Sequence, residues 1–286
     1  DEMGRVADAA LALPGADGRL ALVGHSMASD LVVRQALRDP RVGAVVAVSL
    51  FSRAVTAAAP PNLLVVTGAW EAGLTDEALR VARLADPAAG PSVTVGTPGV
   101  NARRAVLAPG VEHVGVLYSR TTLTETRDWL NLAFGRDGGG AVPLRGPWVL
   151  LLMVSLVAAV WPLTQALRRW RAEAPPPRLS GWRFGAALAG PALVTPLLLV
   201  PLQVRFLPVL VADYLAVHFA VMGGLTLALA GAFGGLRLGG WRVLPLALPV
   251  AVFGILVFGQ ALDGYVASFW PVGPRLPVVL AMAMGA

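Results

Sequence analysis

Arg19-Leu-Ala-Leu-Val-Gly-His-Ser-Met-Ala-Ser-Asp-Leu-Val-Val-Arg-Gln-Ala-Leu37 opens as an apolar, strand-like run and closes as an amphipathic helix, with Ser26 at the tight turn between them. A turn that takes a strand straight into a helix forces unusual backbone angles, so the residues two positions to either side must be small for neighbouring chain to pass. Gly24 and Ala28 meet that need. A helix start behind Ser26 leaves free N–H groups and the positive dipole end beside the serine, so the N–H of Met27 is placed to receive negative charge developing near the hydroxyl.

Working outward, residues 42–51 form a nearly continuous apolar run rich in valine, which suits a parallel strand buried on both faces. Residues 62–71 form a second such run and end in Gly68-Ala69-Trp70-Glu71. Residues 102–110 read as a strand and turn, 111–118 as a loop carrying His113, and 121–134 as a closing helix. Upstream of the quoted stretch, residues 1–13 read as one helix and 14–18 as a turn.

Gly24-His25-Ser26-Met27-Ala28, with a strand before it and a helix after it, resembles the nucleophile elbow of the α/β-hydrolase superfamily, Gly-x-Ser-x-Gly, with alanine replacing the last glycine. The order serine, acid, histidine along the chain is similar to that superfamily too. The resemblance implies a partial α/β-hydrolase fold on a parallel sheet, with Ser26 as nucleophile, His113 as base and the Met27 N–H as one oxyanion donor. It also implies an acid at Glu71, where superfamily members have Gly-x-x-Asp. Glutamate serves there because a carboxylate is needed only to accept the imidazole N–H and stabilise the imidazolium.

Asp76 is the competing acid, since loop length could bring it over the same spot. Glu71 is preferred because Thr75 and Asp76 also read as the cap of a helix over 77–84. His25 is the variable position of the elbow and is not the base; His218 lies in an apolar segment far downstream. The activity implied is transfer of an acyl group to water, of esterase or lipase type, although peptidase, amidase, thioesterase and transacylase chemistry use the same triad. A different class is a hydrolase-like domain that only binds, carried on a membrane transport or scaffold protein, with Ser26, Glu71 and His113 as ordinary turn and loop residues. In the superfamily, further strands precede the elbow strand, and a loop among them supplies the second oxyanion donor. The sequence opens on Asp1 and stops within the apolar run 276–286, so the expectation is a piece of a longer protein, inactive alone.

The second half is a different chemical object. Overall 56% of residues are hydrophobic and 14% charged, the mean hydropathy is +0.67, and the apolar excess lies beyond residue 146. A membrane-crossing helix takes about 20 apolar residues, because every backbone polar group must be satisfied within the segment. Residues 147–167, 184–204, 206–233 and 243–266 qualify, and a fifth segment begins near 272. The expectation is an α/β domain over 1–138, a Gly-rich joint at 135–146, and an all-α membrane domain over 139–286 with four complete helices and the start of a fifth. Pro191, Pro196, Pro201, Pro245 and Pro249 predict kinks that neighbouring helices make tolerable.

The chain has no lysine, so its 23 basic residues are all arginine. Arg168, Arg169, Arg171, Arg178 and Arg183 crowd the loop between the first two spans, Arg205 stands alone in the next, and Arg237 and Arg242 follow. Arginine-rich short loops stay cytoplasmic, which places the domain before the first span outside the cytoplasm, in a multi-pass protein of a bacterial inner membrane. The formal charge of +6 is dispersed around apolar segments and argues against nucleic acid as a partner. The implied partners are the lipid bilayer and a small acyl-ester or lipid-like substrate. Zero cysteines remove disulfides and thiolate metal sites, and no phosphate loop or dinucleotide fingerprint calls for a cofactor; no metal is expected. Asp213, Tyr214 and His218 fall within the third span, where ionisable groups mark either a pathway or a local pairing; pairing of Asp213 near the interface with Arg205, or with another helix, is the simpler expectation, a proton or ligand site the other.

Overall fold

The computed structural model describes residues 2–167, 179–207, 212–235, 244–266, 270, 273 and 275–283. The chain divides into two compact units, Asp1–Trp148 and Val149–Ala286, so the division falls just inside a long helix, a few residues past the expected joint at 135–146.

In the first unit, α1 (Glu2–Leu11) precedes β1 (Leu20–His25), α2 (Met27–Ala36), β2 (Val42–Val48), β3 (Leu63–Gly68), α3 (Ala72–Arg83), β4 (Thr94–Val95), β5 (Arg103–Ala108), a 3₁₀ turn (Gly115–Tyr118) and α4 (Arg120–Phe134). The sheet order is β1-β2-β3-β5-β4. The first four places are parallel, and the short β4 runs antiparallel to β5. Alternation along the strands sends every second side chain to each face. Val45, Ala47, Leu63, Val65 and Ala105 pack with Val33 of α2 and Val81 of α3 on one face. Val46, Val48, Leu64, Val66 and Val106 pack with Trp129 of α4 on the other. This is why the strands read as unbroken apolar runs.

Asn62, just before β3, is 3% exposed and has φ 45°. Its side chain donates to the Gly43 carbonyl at 2.8 Å and accepts the Ala102 N–H at 3.3 Å, while its own carbonyl takes the Trp129 indole N–H at 3.0 Å. One residue therefore ties β2, β5 and α4 together at the amino end of the strands.

Helix α3 starts a turn earlier than expected. Glu71 occupies the N-cap position, so Thr75 and Asp76 lie inside the helix and do not cap it. Leu74, Ala78, Val81 and Ala82 supply one apolar stripe at helical spacing, and that stripe begins upstream of Asp76.

The second unit is built of helices. Four, Gly146–Leu167, Trp182–Leu199, Ala212–Ala232 and Ala247–Tyr265, are long and apolar enough to cross a membrane. We label α5 (Gly146–Leu167), α6 (Trp182–Leu199), α7 (Ala212–Ala232), α8 (Leu244–Val252), α9 (Gln260–Tyr265) and α10 (Arg275–Ala283). A π-helical stretch, Phe253–Gly259, joins α8 to α9, after Pro249 inside α8. Large apolar side chains such as Leu188, Leu193 and Leu197 stand exposed, the outward pattern that lipid favours and water does not. Arg168, Arg169, Arg171, Arg178, Arg237 and Arg242 lie outside the described residues. The expected ion pair between Arg205 and Asp213 is not formed. The Asp213 carboxylate, 7% exposed, instead accepts the backbone N–H groups of Phe206 and Tyr214, both at 3.0 Å. Backbone N–H donors thus take the acceptor positions of the carboxylate that a guanidinium would have used.

Candidate active site

Every element of the site hangs from the carboxyl end of a parallel strand, the rim where open α/β sheets present side chains to ligands. The strand ends are level: His25 pairs with Val48 and Gly68 with Ala108. Bonds from Ser26 N–H to Val48 (2.9 Å), Ser49 N–H to Val66 (2.7 Å) and Ala69 N–H to Ala108 (2.8 Å) extend the ladder one residue past the strands.

Ser26 leaves β1 with φ 56° and ψ −125° before α2 begins at Met27. These are angles that only a tightly constrained turn sustains in a residue with a Cβ. The constraint explains Gly24, where a Cβ would lie 2.5 Å from the Ala28 carbonyl oxygen and 2.8 Å from a Val32 methyl. The Ser26 hydroxyl donates to His113 Nε2 at 2.8 Å, and His113 Nδ1 donates to Glu71 Oε1. The tautomer follows from these partners, since a carboxylate can only accept. The N–H of Met27, first in α2, has no acceptor among the described residues, as expected of a first-turn helical N–H.

Glu71 is held as firmly as it holds the imidazole. Its side chain is 6% exposed, and Oε2 accepts the Gly68 N–H at 2.7 Å and the Ser49 hydroxyl at 2.8 Å. A Cβ at position 68 would sit 2.6 Å from the Val111 carbonyl oxygen and 3.0 Å from Glu71 Oε2, so Gly68 is the space into which the carboxylate folds back. Ser49 reaches it from the end of β2 with φ 53°. Asp76, the alternative acid, stands exposed on α3, and the imidazole Nδ1 is already engaged by Glu71.

The histidine loop has its own supports. Glu112 accepts the N–H groups of Val114 (2.7 Å) and Gly115 (2.8 Å), and these bonds hold its carboxyl below the usual carboxylate range. From the elbow, His25 Nε2 donates to the His113 carbonyl at 2.8 Å, with the two rings 4.8 Å apart. His25 is thus no base, but it grips the loop that carries the imidazole. Neither that bond nor the Ser49 contact was legible in sequence; each joins residues brought together only by strand order.

A cleft of about 540 Å³ opens at Ser26 and His113, lined among others by Met27, Leu31, Phe51 and Leu74. On its wall burial alone would raise the carboxyl of Asp30, but bonds from Arg34 (2.7 Å) and Ser52 outweigh it and hold the group low. Among the described residues no three His, Cys, Asp or Glu side chains are placed to hold a metal ion.

Set against known protein families, curated proteins and solved structures, the chain matches none of them.

Proposed function

We propose that the first unit is a serine hydrolase domain of α/β-hydrolase type that cleaves esters of lipidic or otherwise acylated molecules. The second unit holds it at a bilayer. The observation that carries this reading is the unbroken chain from the Ser26 hydroxyl through His113 to Glu71, with the serine held on a strained turn. Ser26 Oγ attacks the ester carbonyl while its proton passes to His113 Nε2. The Met27 N–H stabilises the resulting oxyanion and Glu71 the imidazolium. The tetrahedral adduct collapses, the leaving alkoxide takes the proton from Nε2, and water repeats the sequence to free the acid and restore Ser26. The triad does not itself distinguish esters from amides or thioesters; the ester preference rests on the apolar, open cleft and the adjoining membrane unit.

For localisation we propose a bacterial inner membrane, with the hydrolase domain on the extracytoplasmic side. The support is the distribution of arginines among the loops.

The test is covalent. Full-length protein in lipid nanodiscs is treated with a fluorophosphonate probe and the modified peptide identified by mass spectrometry. Labelling at Ser26 that disappears in Ser26→Ala is the expected result. An unlabelled wild-type protein favours the other class, a hydrolase-like domain that binds without cleaving.

A further inference from the structure

The cleft beside Ser26 holds one charge that no described residue neutralises. Its apolar wall, with Met27 63% and Phe51 64% exposed, suits an acyl or alkyl chain. Three ionic side chains join that wall: Asp30, Arg34 and Arg53. Asp30 and Arg34 answer one another at 2.7 Å. Glu71, beneath, is taken by His113, Ser49 and Gly68. Glu77, in the smaller depression that Arg53 also borders, is gripped by Arg80 through both oxygens at 2.7 Å. Every carboxylate near Arg53 is therefore engaged elsewhere. Arg53 itself is exposed and has no hydrogen-bond or ion-pair partner among the described residues.

The backbone that presents this guanidinium is fastened. Ser52 is 2% exposed; it donates to Asp30, and its Oγ accepts the Ala54 N–H at 3.2 Å. Arg80 donates to the Ser52 carbonyl at 3.2 Å. Arg103, also 2% exposed, donates to the Thr56 carbonyl at 2.7 Å. A loop already ordered loses little further freedom on binding. A free guanidinium matches a carboxylate or phosphate with two parallel bonds, and repels a cation.

We propose that Arg53 is a specificity-determining residue. The cleft takes esters that combine an apolar chain with an anionic group, carboxylate or phosphate, and Arg53 binds the anion. Esters of cationic alcohols are disfavoured, since no free carboxylate faces them. The proposal rests on Ser26 being the nucleophile.

The test compares rates of Ser26 modification in the full-length protein, in nanodiscs of zwitterionic lipid. Three fluorophosphonates of equal chain length are used, ending in a methyl, a carboxylate or a phosphate. Both anionic probes are expected to react about tenfold faster than the methyl probe at low salt, with the advantage shrinking at about 0.5 M salt. The ratio of anionic to neutral rates should fall to near one in Arg53→Gln and be partly kept in Arg53→Lys. Because each variant is compared with itself, altered folding or serine reactivity cancels from the ratio. Equal rates in the wild type, or a preference that survives Arg53→Gln while Ser26 is still labelled, overturn the Arg53 proposal alone. Failure of all three probes to label Ser26 overturns the nucleophile reading and this one with it.

Discussion

At the scale of single residues, Glu71 illustrates how one side chain can be fixed from three directions. The Gly68 N–H and the Ser49 hydroxyl occupy Oε2, leaving Oε1 for the imidazole. In Glu71→Gln the amide keeps the shape but loses the charge. It also presents NH₂ donors in place of some acceptors, which favours the tautomer with the proton on the wrong ring nitrogen. Fluorophosphonate labelling of Ser26 is expected to slow by about three to four orders of magnitude, with Glu71→Asp retaining more than the glutamine variant; equal rates for wild type and Glu71→Gln would remove Glu71 from the triad. Ser26, Glu71 and His113 were legible as candidates because each follows a strand-like run, in serine, acid, histidine order. The supports were not. Gly68 reads as a turn glycine until the Val111 carbonyl is found 2.6 Å from its missing Cβ, and nothing near Ser49 in sequence announces a carboxylate.

At the scale of elements, periodicity located the strands and helices but left their ends open to tertiary competition. Thr75 and Asp76 look like caps and point to a later start for α3, whereas the helix begins at Ala72 with Glu71 at the N-cap and buries Ala78, Val81 and Ala82. Strand β4 has only two residues, too few for any alternation to register. In sequence Asn62 only opens the apolar run 62–71, yet its role is to join three elements. In Asn62→Ala the Gly43 carbonyl and Ala102 N–H lose their partners, which costs about 1–3 kcal/mol for each buried group left unsatisfied. Alanine also tolerates φ 45° poorly. Amides of β2 and β5 should exchange hydrogen faster by mass spectrometry; Asn62→Gly, which relieves only the backbone, should recover part of the protection. A second tie is pH-dependent. Arg41 binds Asp39 at 2.7 Å and Asp8 of α1 at 2.8 Å, and the hydrogen bond from Arg41 lowers the Asp39 carboxyl to about 2. Its unfolded value is about 3.9, so the native carboxylate binds protons less readily than the unfolded one. The stabilisation is therefore complete above about pH 4 and is lost as pH falls through about 2. Acid titration should loosen the turn before β2 that holds Asp39 and Arg41 ahead of the central strands, seen as early hydrogen exchange there; in Asp39→Asn that acid step should vanish.

For the molecule as a whole, one chain joins a sheet whose core excludes water to helices whose apolar side chains face outward. The four long apolar helices were plain in composition, because about 20 consecutive apolar residues have few other uses. Their ends were less so: α6 stops at Leu199, one residue short of Pro201, although Val200 between them keeps helical angles, φ −49° and ψ −46°. Side of the membrane is a separate matter, governed by the arginines rather than by hydropathy. If the loop with Arg168, Arg169, Arg171 and Arg178 stays cytoplasmic, a cysteine replacing Ser180 is shielded in intact spheroplasts, while one replacing Asp137 is open to a membrane-impermeant maleimide. The absence of native cysteines means that any label comes from the introduced thiol. Permeabilisation should make position 180 reactive without changing position 137. The reversed pattern would put the first unit in the cytoplasm, and the search for the proposed anionic ester substrate would then move to cytoplasmic acyl compounds, since the Arg53 argument depends on the cleft and not on the compartment.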